Sequence, residues 1–477
     1  MVNIVLGIIR TKALALLLGP SGVGVLGIYS NIVDMTRSVA GLGINSSGVR
    51  QIAEAVGTGD RQKIARTITT LRRVALYSGA LGALLLLIFS KPVSQFTFKD
   101  DRYAGTIALL ALAVFFGDIS AAQTALVQGM RRISDLARIN VLGALYGTLF
   151  SIPIVYFLGE RGLGLYLVCV AGMAIITSWW YARKIKVDRV ALSIKQLLDE
   201  SSALLKLGLV FMSSGLMGFG TAYLIRIIIL RRMGEADAGY YQAAWNLGGL
   251  YIGFILQAMG ADFYPRLTAA ANNHPECNRL VNEQAEVGLL LAGPGVLGTL
   301  VFAPLVISLF YSTKFGPAVE VLRWICLGMF IRVGSWPIGF IVLAKGARNI
   351  FFWVELLSYL AQVLLTWFGA VLFGLKGAGI AFFLMYVINW FGVSIVVRQL
   401  TGFRWSAANR KLAALFLPVI AFVFIGKYVL QPWLALATGA AATLLTGLYS
   451  LKLLCTLIPP QRLPSPVQKG LRRLRLL

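Results

Sequence analysis

The chain has few of the side chains that carry catalysis or bind metal ions. Only 13% of its 477 residues are charged, four are cysteines and one is a histidine. His274 has no sequence neighbours that would complete a hydrolytic or metal site, so we interpret it as a loop residue. The cysteines show neither paired nor metal-ligand spacing, and we interpret them as small apolar residues. They are Cys169, Cys277, Cys326 and Cys455. The sequence predicts no metal site, no catalytic residue and no bound cofactor.

The scarcity of charge also excludes an ordinary water-soluble domain. Hydrophobic residues make up 58% of the chain, and its mean hydropathy is +0.78. Crossing roughly 30 Å of hydrocarbon takes about 20 helical residues. Fourteen apolar stretches approach this length, so we predict an all-α polytopic membrane protein. They lie near residues 2–18, 24–46, 70–90, 104–127, 136–158, 162–182, 204–230, 238–262, 284–310, 318–344, 350–373, 377–398, 411–430 and 433–457.

Acidic residues are scarce relative to basic ones, 19 against 44, which leaves a formal charge of +25. In a soluble protein this balance would indicate nucleic acid as a partner. Here most Lys and Arg fall in loops on the side of the first long loop. By the positive-inside rule that side is cytoplasmic, and both termini are predicted to lie there. The basic clusters then contact anionic membrane lipids, and no nucleic-acid partner is predicted.

Three short segments recur about 215 residues later, in the same order. The matches are Gly19–Gly24 with Gly234–Gly239 and Gly159–Gly164 with Gly374–Gly379, both at an offset of 215, and Leu126–Arg131 with Leu343–Arg348 at 217. Three matches at nearly one offset indicate that one membrane-spanning half was duplicated. Two related lobes in a membrane predict a path between them.

The duplication divides the chain into four predicted parts. Residues 1–190 and 191–400 are each expected to form a six-helix lobe. Residues 401–458 are expected to add a further helix pair, and residues 459–477 to form a basic cytoplasmic tail.

Ionisable groups inside the predicted spans are candidate site residues, because a charge in hydrocarbon is costly unless it faces water or a partner. The central set is Arg10, Lys12, Arg37 and Arg332 against Asp34 and Asp118. Its formal surplus of two positive charges suits an anionic cargo such as a diphosphate, which guanidinium groups hold bidentately. The same surplus would repel a cationic drug. Asp34 and Arg37 also stand three residues apart, so a purely structural ion pair stays open.

The positions of two further arginines say less about whether they line the transport path. Arg226 is close to the outward pair Arg231-Arg232 and either snorkels to the outer interface or caps the cavity. Arg323 precedes Arg332 by nine residues, which places the two side chains on opposite faces of one helix.

An ordered series of segments resembles the Wzx-type O-antigen flippases of the multidrug/oligosaccharidyl-lipid/polysaccharide (MOP) exporter superfamily. The series is Arg10–Gly24, Gly41–Asn45, Asp262–Leu267, Asn282–Gln284, Leu309–Phe315 and Leu343–Gly346. The resemblance implies a MATE-like fold with two six-helix bundles around a central cavity, related by a pseudo-two-fold axis along the membrane normal. Two additional helices follow here, and the lipid II flippases of the same superfamily look similar in having fourteen spans.

The same resemblance implies transport of an undecaprenyl-diphosphate-linked oligosaccharide, an O-antigen or similar repeat unit. Such flippases move it from the cytoplasmic to the periplasmic leaflet of a bacterial inner membrane during polysaccharide or lipopolysaccharide biosynthesis. Rocking of the lobes would give alternating access, and other polysaccharide-assembly proteins are expected partners. Related flippases use basic residues of the first two spans, and Arg10, Arg37 and Arg50 are of the matching type. The candidate substrate-binding set is Arg10, Lys12, Arg37, Arg50, Arg226, Arg323 and Arg332.

The energy source and the sugar contacts stay open. Candidate groups for coupling to H⁺ or Na⁺, or for gating, are Asp34, Asp118, Asp262 and Glu355. The alternative is direct action of the membrane potential, at about 2.3 kcal/mol per elementary charge per 100 mV. Several tryptophans serve either as an interfacial belt or as sugar platforms. They are Trp179, Trp180, Trp245, Trp324 and Trp336.

Three other classes compete with a flippase. A multidrug antiporter of the same fold is disfavoured by the basic surplus and by the lack of a clear acidic cluster in the first lobe. A major-facilitator transporter also has two parallel halves, but Gly57–Arg61 is only faintly similar to that family's first cytoplasmic loop. A glycan polymerase or ligase needs a large periplasmic loop, whereas the longest outward loop predicted here spans about residues 91–103.

Overall fold

The computed structural model describes residues 2–185, 190 and 194–457, and all regular secondary structure within these ranges is helical. The predicted all-α class is therefore confirmed. The α-helices are α1 Val2–Ala40, α2 Ile44–Thr58, α3 Arg61–Ile88, α4 Ser90–Phe98, α5 Ala104–Gly129, α6 Ile133–Leu158, α7 Leu163–Ala182, α8 Ile194–Met233, α9 Glu235–Ala269, α10 His274–Val301, α11 Ala303–Phe310, α12 Ala318–Ala344, α13 Arg348–Phe373, α14 Leu375–Thr401, α15 Ala407–Val429 and α16 Pro432–Leu457.

Within the described ranges, eleven stretches are long and apolar enough to cross a membrane. Two of them are longer than one crossing requires. Val5–Ala40 bends at Gly19, where φ is 65°, and Ile133–Ala182 turns through a 3₁₀ segment at Gly159–Gly162. The chain is a multi-pass membrane protein, and the count of fourteen spans stays a prediction.

Two segments predicted as loops are helical instead. Most of residues 91–103 form α4 and a 3₁₀ turn, at which the Asp100 side chain accepts a hydrogen bond from the Arg102 amide at 2.8 Å. His274 begins α10 because Asn273 caps that helix, its Oδ1 accepting from the Glu276 amide at 3.2 Å. An asparagine before the first helical residue is a local sequence signal for a helix start.

The helices form two compact units, each with its own core. Of the described residues, the first unit comprises those from 2 to 239 with Phe310–Lys314. Within it α5 packs against α3 and α7, α7 against α6, and α1 against α6 and α8. A cluster of buried apolar side chains joins α2, α3, α5 and α7. It includes Ile52, Ile68, Leu71, Leu126 and Tyr181.

Of the described residues, the second unit comprises Tyr240–Leu309 with residues 315–457. In it α12 packs against α10 and α14, and the last two helices, α15 and α16, pack against α10. Gly293 permits this packing, since a Cβ there would lie 2.2 Å from the Phe416 ring. The predicted lobe boundaries at residues 190, 400 and 458 concern membrane bundles and stay predictions. The predicted tail, residues 459–477, lies outside the described residues.

The second repeat match is confirmed in the backbone. Gly159 follows α6 with φ 56° and ψ −138°, and Gly374 follows α13 with φ 60° and ψ −144°. Because such positive φ values strain residues that carry a Cβ, both copies keep glycine at the turn. The two halves therefore share a turn geometry as well as a sequence pattern.

The third match is wrong in register by two residues. The residue with positive φ after α5 is Arg131 (φ 55°), and the one after α12 is Gly346 (φ 65°). These positions stand 215 residues apart. The sequence match had aligned Gly129 with Gly346, since glycine usually marks a positive φ. The backbone hydrogen bonds also agree with an offset of 215 residues. Arg132 N donates to Val127 O at 3.1 Å, and Ala347 N donates to Val342 O at 3.2 Å.

The two segments of the first match, Gly19–Gly24 and Gly234–Gly239, contact each other within the first unit. A Cβ on Gly24 would lie 2.7 Å from the Gly239 amide nitrogen, and a Cβ on Gly239 would lie 1.9 Å from the Pro20 carbonyl oxygen. No side chain larger than hydrogen fits at either position without moving the backbone. The duplicated glycines thus form a backbone-to-backbone contact.

Candidate functional site

A cavity of about 770 Å³, here named the first cavity, lies within the first unit among α1, α2, α5 and α7. Its lining includes two charged side chains, several hydroxyl or amide groups, and many small residues. These are Asp34, Arg37, Ser30, Ser120, Thr124, Gln128, Ala113, Gly117, Ala121, Ala125, Ala171 and Ala174. Gly117 stands near the middle of the 26-residue helix α5. A helix of this length spans about 39 Å, so the cavity wall reaches the middle of the bilayer.

Arg37 is anchored on this wall by α5. Its Nε donates to Asp118 Oδ1 at 3.1 Å, and its Nη2 donates to the Gly117 carbonyl at 2.9 Å. The Asp118 side chain is 4% exposed, whereas the Arg37 side chain keeps 30% of its surface exposed. Glycine at position 117 makes room for this arrangement, because a Cβ there would lie 2.7 Å from Arg37 Nε. One side of the guanidinium is held, and the exposed part is available to an anion.

Asp34 and Arg226 complete a group of four charges. Both Arg37 and Arg226 attract the Asp34 carboxylate. Arg226 is only 5% exposed and donates to the Ala222 carbonyl at 2.9 Å, which favours a role in the interior over snorkelling. Asp118 pairs with Arg37, and the charge of Arg37 also acts on Asp34. The expected lack of a clear acidic cluster in the first half stays a prediction. The four groups have no net formal charge.

A cavity of about 320 Å³, here named the second cavity, lies within the second unit among α12, α13 and α14. Aromatic rings dominate its lining, together with one positive, one negative and a few polar side chains. These are Trp336, Phe340, Phe351, Tyr359, Tyr386, Arg332, Glu355, Ser335, Ser358 and Asn389. The guanidinium carbon of Arg332 lies 5.6 Å from the ring centroid of Tyr386. Arg332 and Glu355 are thus brought together, in a different unit from Arg37.

The two cavities occupy equivalent places in the duplicated halves. At the offset of 215, nine lining positions pair: Gly117 with Arg332, Ser120 with Ser335, Ala121 with Trp336, Thr124 with Gly339, Ala125 with Phe340, Gln128 with Leu343, Val170 with Met385, Ala171 with Tyr386, and Ala174 with Asn389. In six of these pairs the second half has the larger side chain, and its cavity is the smaller one. Each cavity also has a guanidinium at the equivalent positions 117 and 332. In the first cavity the guanidinium of Arg37 contacts Gly117, and in the second the guanidinium is that of Arg332 itself.

Five predicted residues of the first unit are not among those that line the first cavity: Asp118 and Arg226, described above, and Arg10, Lys12 and Arg50. Arg10 and Lys12 are half-buried on α1, and the charge of Arg10 acts on the Tyr166 hydroxyl. Arg50 is exposed on α2 and pairs with Glu54 at 2.7 Å. The basic set expected from the sequence is therefore dispersed over several sites.

Arg323 lines a separate space from Arg332, as their spacing on one helix predicts. Arg323 pairs with Glu320 at 2.9 Å and, with Lys427, lines a cavity of about 450 Å³ beside α15 and α16. Lys427 also pairs with Glu320. The remaining candidate, Asp262, belongs to α9, but its side chain lies outside the described part of the chain.

The aromatic wall of the second cavity was not predicted as a group. Of its residues only Trp336 was considered, as a belt residue or a sugar platform. The repeat offset held the missing signal, since it pairs Ala121 with Trp336 and Ala171 with Tyr386. The sequence does not show which face of an apolar helix lines a cavity, so the pairing alone does not identify the wall.

Comparison with known proteins agrees with this architecture. The family model described as "Polysaccharide biosynthesis protein" matches residues 13–320, and the chain belongs to that family. The Lipid III flippase of Escherichia coli (strain K12) is 22% identical over 398 residues, which cover 81% of this chain and 93% of that protein. The relatives confirm the predicted flippase class and a transporter rather than an enzyme.

Solved structures confirm the MOP-superfamily fold. The lipid II flippase MurJ in its inward closed conformation aligns with a TM-score of 0.71 and 13% identity, covering 95% of this chain and 96% of that one. An inward-facing multidrug resistance MATE transporter aligns with a TM-score of 0.68 and 16% identity, covering 82% of this chain and 94% of that one. These likenesses define the fold, and the cargo is a separate question.

Proposed function

We propose that this chain flips an undecaprenyl-diphosphate-linked oligosaccharide, an O-antigen or similar repeat unit, from the cytoplasmic to the periplasmic leaflet of a bacterial inner membrane. Membership of the polysaccharide biosynthesis family and similarity to a protein named Lipid III flippase support this cargo class. The lipid tail stays in the bilayer while the diphosphate and sugars cross through the protein by alternating access. Both termini are placed on the cytoplasmic side, where basic loops concentrate.

The observation that carries the proposal is the partly exposed guanidinium of Arg37 on the wall of the first cavity. A charge at this depth is costly unless it has a partner or water. Asp118 is that partner in the structure. A diphosphate offers two negative charges and oxygens that accept bidentate hydrogen bonds, so it can replace Asp118. Arg332 is proposed to contact the cargo from the second cavity.

Ion coupling is placed at Asp34 and Asp118. Asp34 lines the first cavity, and Asp118 Oδ2 is buried without a hydrogen-bond partner in the described structure. When a diphosphate engages Arg37, Asp118 loses its counter-charge and is free to bind H⁺ or Na⁺. Cargo binding and ion binding would then be linked through one guanidinium.

Reconstituted liposomes test the proposal directly. Wild-type protein is expected to expose a fluorescent undecaprenyl-diphosphate oligosaccharide to a membrane-impermeant quencher. Arg37→Ala should slow flipping roughly 10- to 100-fold, the value of a charge-assisted contact of about 1.5–3 kcal/mol. The flipping rate of Arg37→Lys should lie between those of wild type and Arg37→Ala, because lysine keeps the charge but cannot form the bidentate hydrogen bonds. Imposed pH or Na⁺ gradients identify the coupling ion.

The matched control is Arg102→Ala. Arg102 is exposed and pairs with Asp100 at 2.6 Å, so its loss should leave the rate unchanged. Wild-type flipping by a folded Arg37→Ala protein would remove Arg37 from the mechanism. A wild-type protein that moves no lipid-linked glycan would refute the flippase itself.

A multidrug antiporter is the second candidate. One observation favours it over the sequence-based expectation: the charges of Asp34, Asp118, Arg37 and Arg226 in the first unit balance. A cationic compound would therefore not meet the repulsion expected from the sequence. The same liposomes, loaded with ethidium and given a pH gradient, decide between the two. Proton-driven ethidium transport without lipid flipping would support the antiporter.

A further inference from the structure

We propose that the second cavity binds the sugar part of the cargo, by stacking a pyranose ring on an aromatic wall formed by Trp336, Phe340, Tyr359 and Tyr386. This inference rests on the proposed function and deepens it. The phosphates are assigned to the first half of the chain, at Arg37, and the carbohydrate to the second half. The evidence is the geometry of the second cavity and its contrast with the first.

The aromatic wall is assembled from three helices. Trp336 and Phe340 stand one turn apart on α12, with ring centroids 4.3 Å apart at an interplanar angle of 55°. Tyr359 comes from α13 and Tyr386 from α14, and all four side chains are only half-buried. Gly339 leaves room beside them, since a Cβ there would meet no atom of the described residues within 4 Å. The rings therefore border open space near Gly339, while Phe340 also packs against Phe263 and Tyr264.

Polar groups stand at the edge of this wall. The Asn389 amide donates to the Ser358 hydroxyl at 2.7 Å, and both residues line the cavity with Glu355 and Arg332. Together they offer hydrogen-bond donors and acceptors next to flat apolar rings. A pyranose ring has the complementary surface, an apolar C–H face rimmed by hydroxyl groups that donate and accept. Pockets with a few placed polar groups among aromatic rings are typical ligand sites.

A charged ligand fits the second cavity less well. A cation would compete with Arg332, whose guanidinium carbon already lies 5.6 Å from the Tyr386 ring centroid, within the range of a cation–π contact. An anion would meet the Glu355 carboxylate on the same wall. Opposite charges on one aromatic wall favour a neutral, polyhydroxylated ligand.

The contrast with the first cavity argues against simple core filling. Where the first half has Ala121, Ala125 and Ala171, the second has aromatic residues. Rings that merely filled a core would be fully buried and would close the space. Here about 320 Å³ remains, which is within the range of roughly 300–1,000 Å³ for ligand pockets. The rings line a site and do not fill it.

The test compares two lipids in liposomes: fluorescent undecaprenyl diphosphate, and the same lipid carrying an oligosaccharide. Trp336→Ala removes a stacking face, and Gly339→Leu puts a side chain into open space. Each should slow flipping of the glycan lipid about tenfold, the upper value for one aromatic contact. Flipping of the bare lipid should stay unchanged. Phe368→Ala, an aromatic residue of α13 that is 58% exposed, is the control and should leave both rates unchanged.

Two results would overturn the inference: an equal loss for both lipids, which marks a structural role, or no loss for either. If wild-type protein moves neither lipid, the proposed function fails, and a binding measurement then decides the inference separately. Titration of the detergent-solubilised protein with the released oligosaccharide should change its tryptophan fluorescence. Binding that weakens about tenfold in Tyr386→Ala, which leaves every tryptophan in place, supports the sugar site. A protein that binds no oligosaccharide has no such site.

Discussion

The two cavities lie at the same point of a duplicated half, yet their contents differ. The first is wide, with alanine at three positions where the second has an aromatic ring. The turns around them, in contrast, kept their backbone geometry, as Gly159 and Gly374 show. Duplication thus preserved the residues that the backbone requires and left the lining free to diverge. A transporter built this way can give each half a different part of one cargo.

The guanidinium illustrates how one feature can be supplied in two ways. In the first half Arg37 reaches from α1 and lies on Gly117 of α5. In the second half the position equivalent to Gly117 is Arg332 itself. Equivalent places in the two halves can therefore hold the same chemical group even though different residues supply it.

The largest loss of stability is expected at the contact between Gly239 and the segment Gly19–Gly24. Gly239→Ala would place a Cβ 1.9 Å from the Pro20 carbonyl oxygen, so the backbone must move. We expect a loss of more than about 3 kcal/mol and little folded protein. The measurement is the yield of monodisperse protein in detergent and its thermal unfolding midpoint. Gly253→Ala lies on the same helix, and its new Cβ would meet no atom of the described residues within 4 Å, so it should behave as wild type. Normal yield of Gly239→Ala would disprove the close contact.

A swap of the guanidinium sharpens the comparison next. Gly117→Arg alone should destabilise the protein, since its Cβ would lie 2.7 Å from Arg37 Nε. Combined with Arg37→Ala, the new side chain enters vacated space and imitates the second half. We expect the double variant to flip the diphosphate lipid at least about fivefold faster than Arg37→Ala, through a recovered charge-assisted contact. A double variant as slow as Arg37→Ala would show that the two guanidinium positions are not equivalent.

Much of the fold could be predicted because hydropathy and turn glycines act locally. Helical spans and the turns at Gly159 and Gly374 follow from composition and backbone sterics alone. The site needed packing information. Asp118 lies 81 residues from Arg37, and only the packing of α1 against α5 makes them an ion pair.

The aromatic wall shows a second limit of the sequence. Trp336 and Tyr386 are 50 residues apart on different helices, and apolar spans give no local sign of which face lines a cavity. The register error at Gly129 has the same origin. A short match cannot tell a glycine that sets the backbone from one that merely lies nearby.

The smallest effect is expected at that misaligned turn. Arg131 holds a φ of 55° where the second half has Gly346. A non-glycine residue in this region costs about 1 kcal/mol, while glycine adds freedom to the unfolded chain. The two terms nearly cancel, so Arg131→Gly should change unfolding free energy by less than about 1 kcal/mol. Gly346→Ala reverses both terms, so it should also change the unfolding free energy by no more than about 1 kcal/mol. Thermal midpoints of both variants against wild type check that the two shifts are small and opposite in sign. Strong destabilisation by Arg131→Gly would mean that its side chain, and not its backbone, holds the first turn.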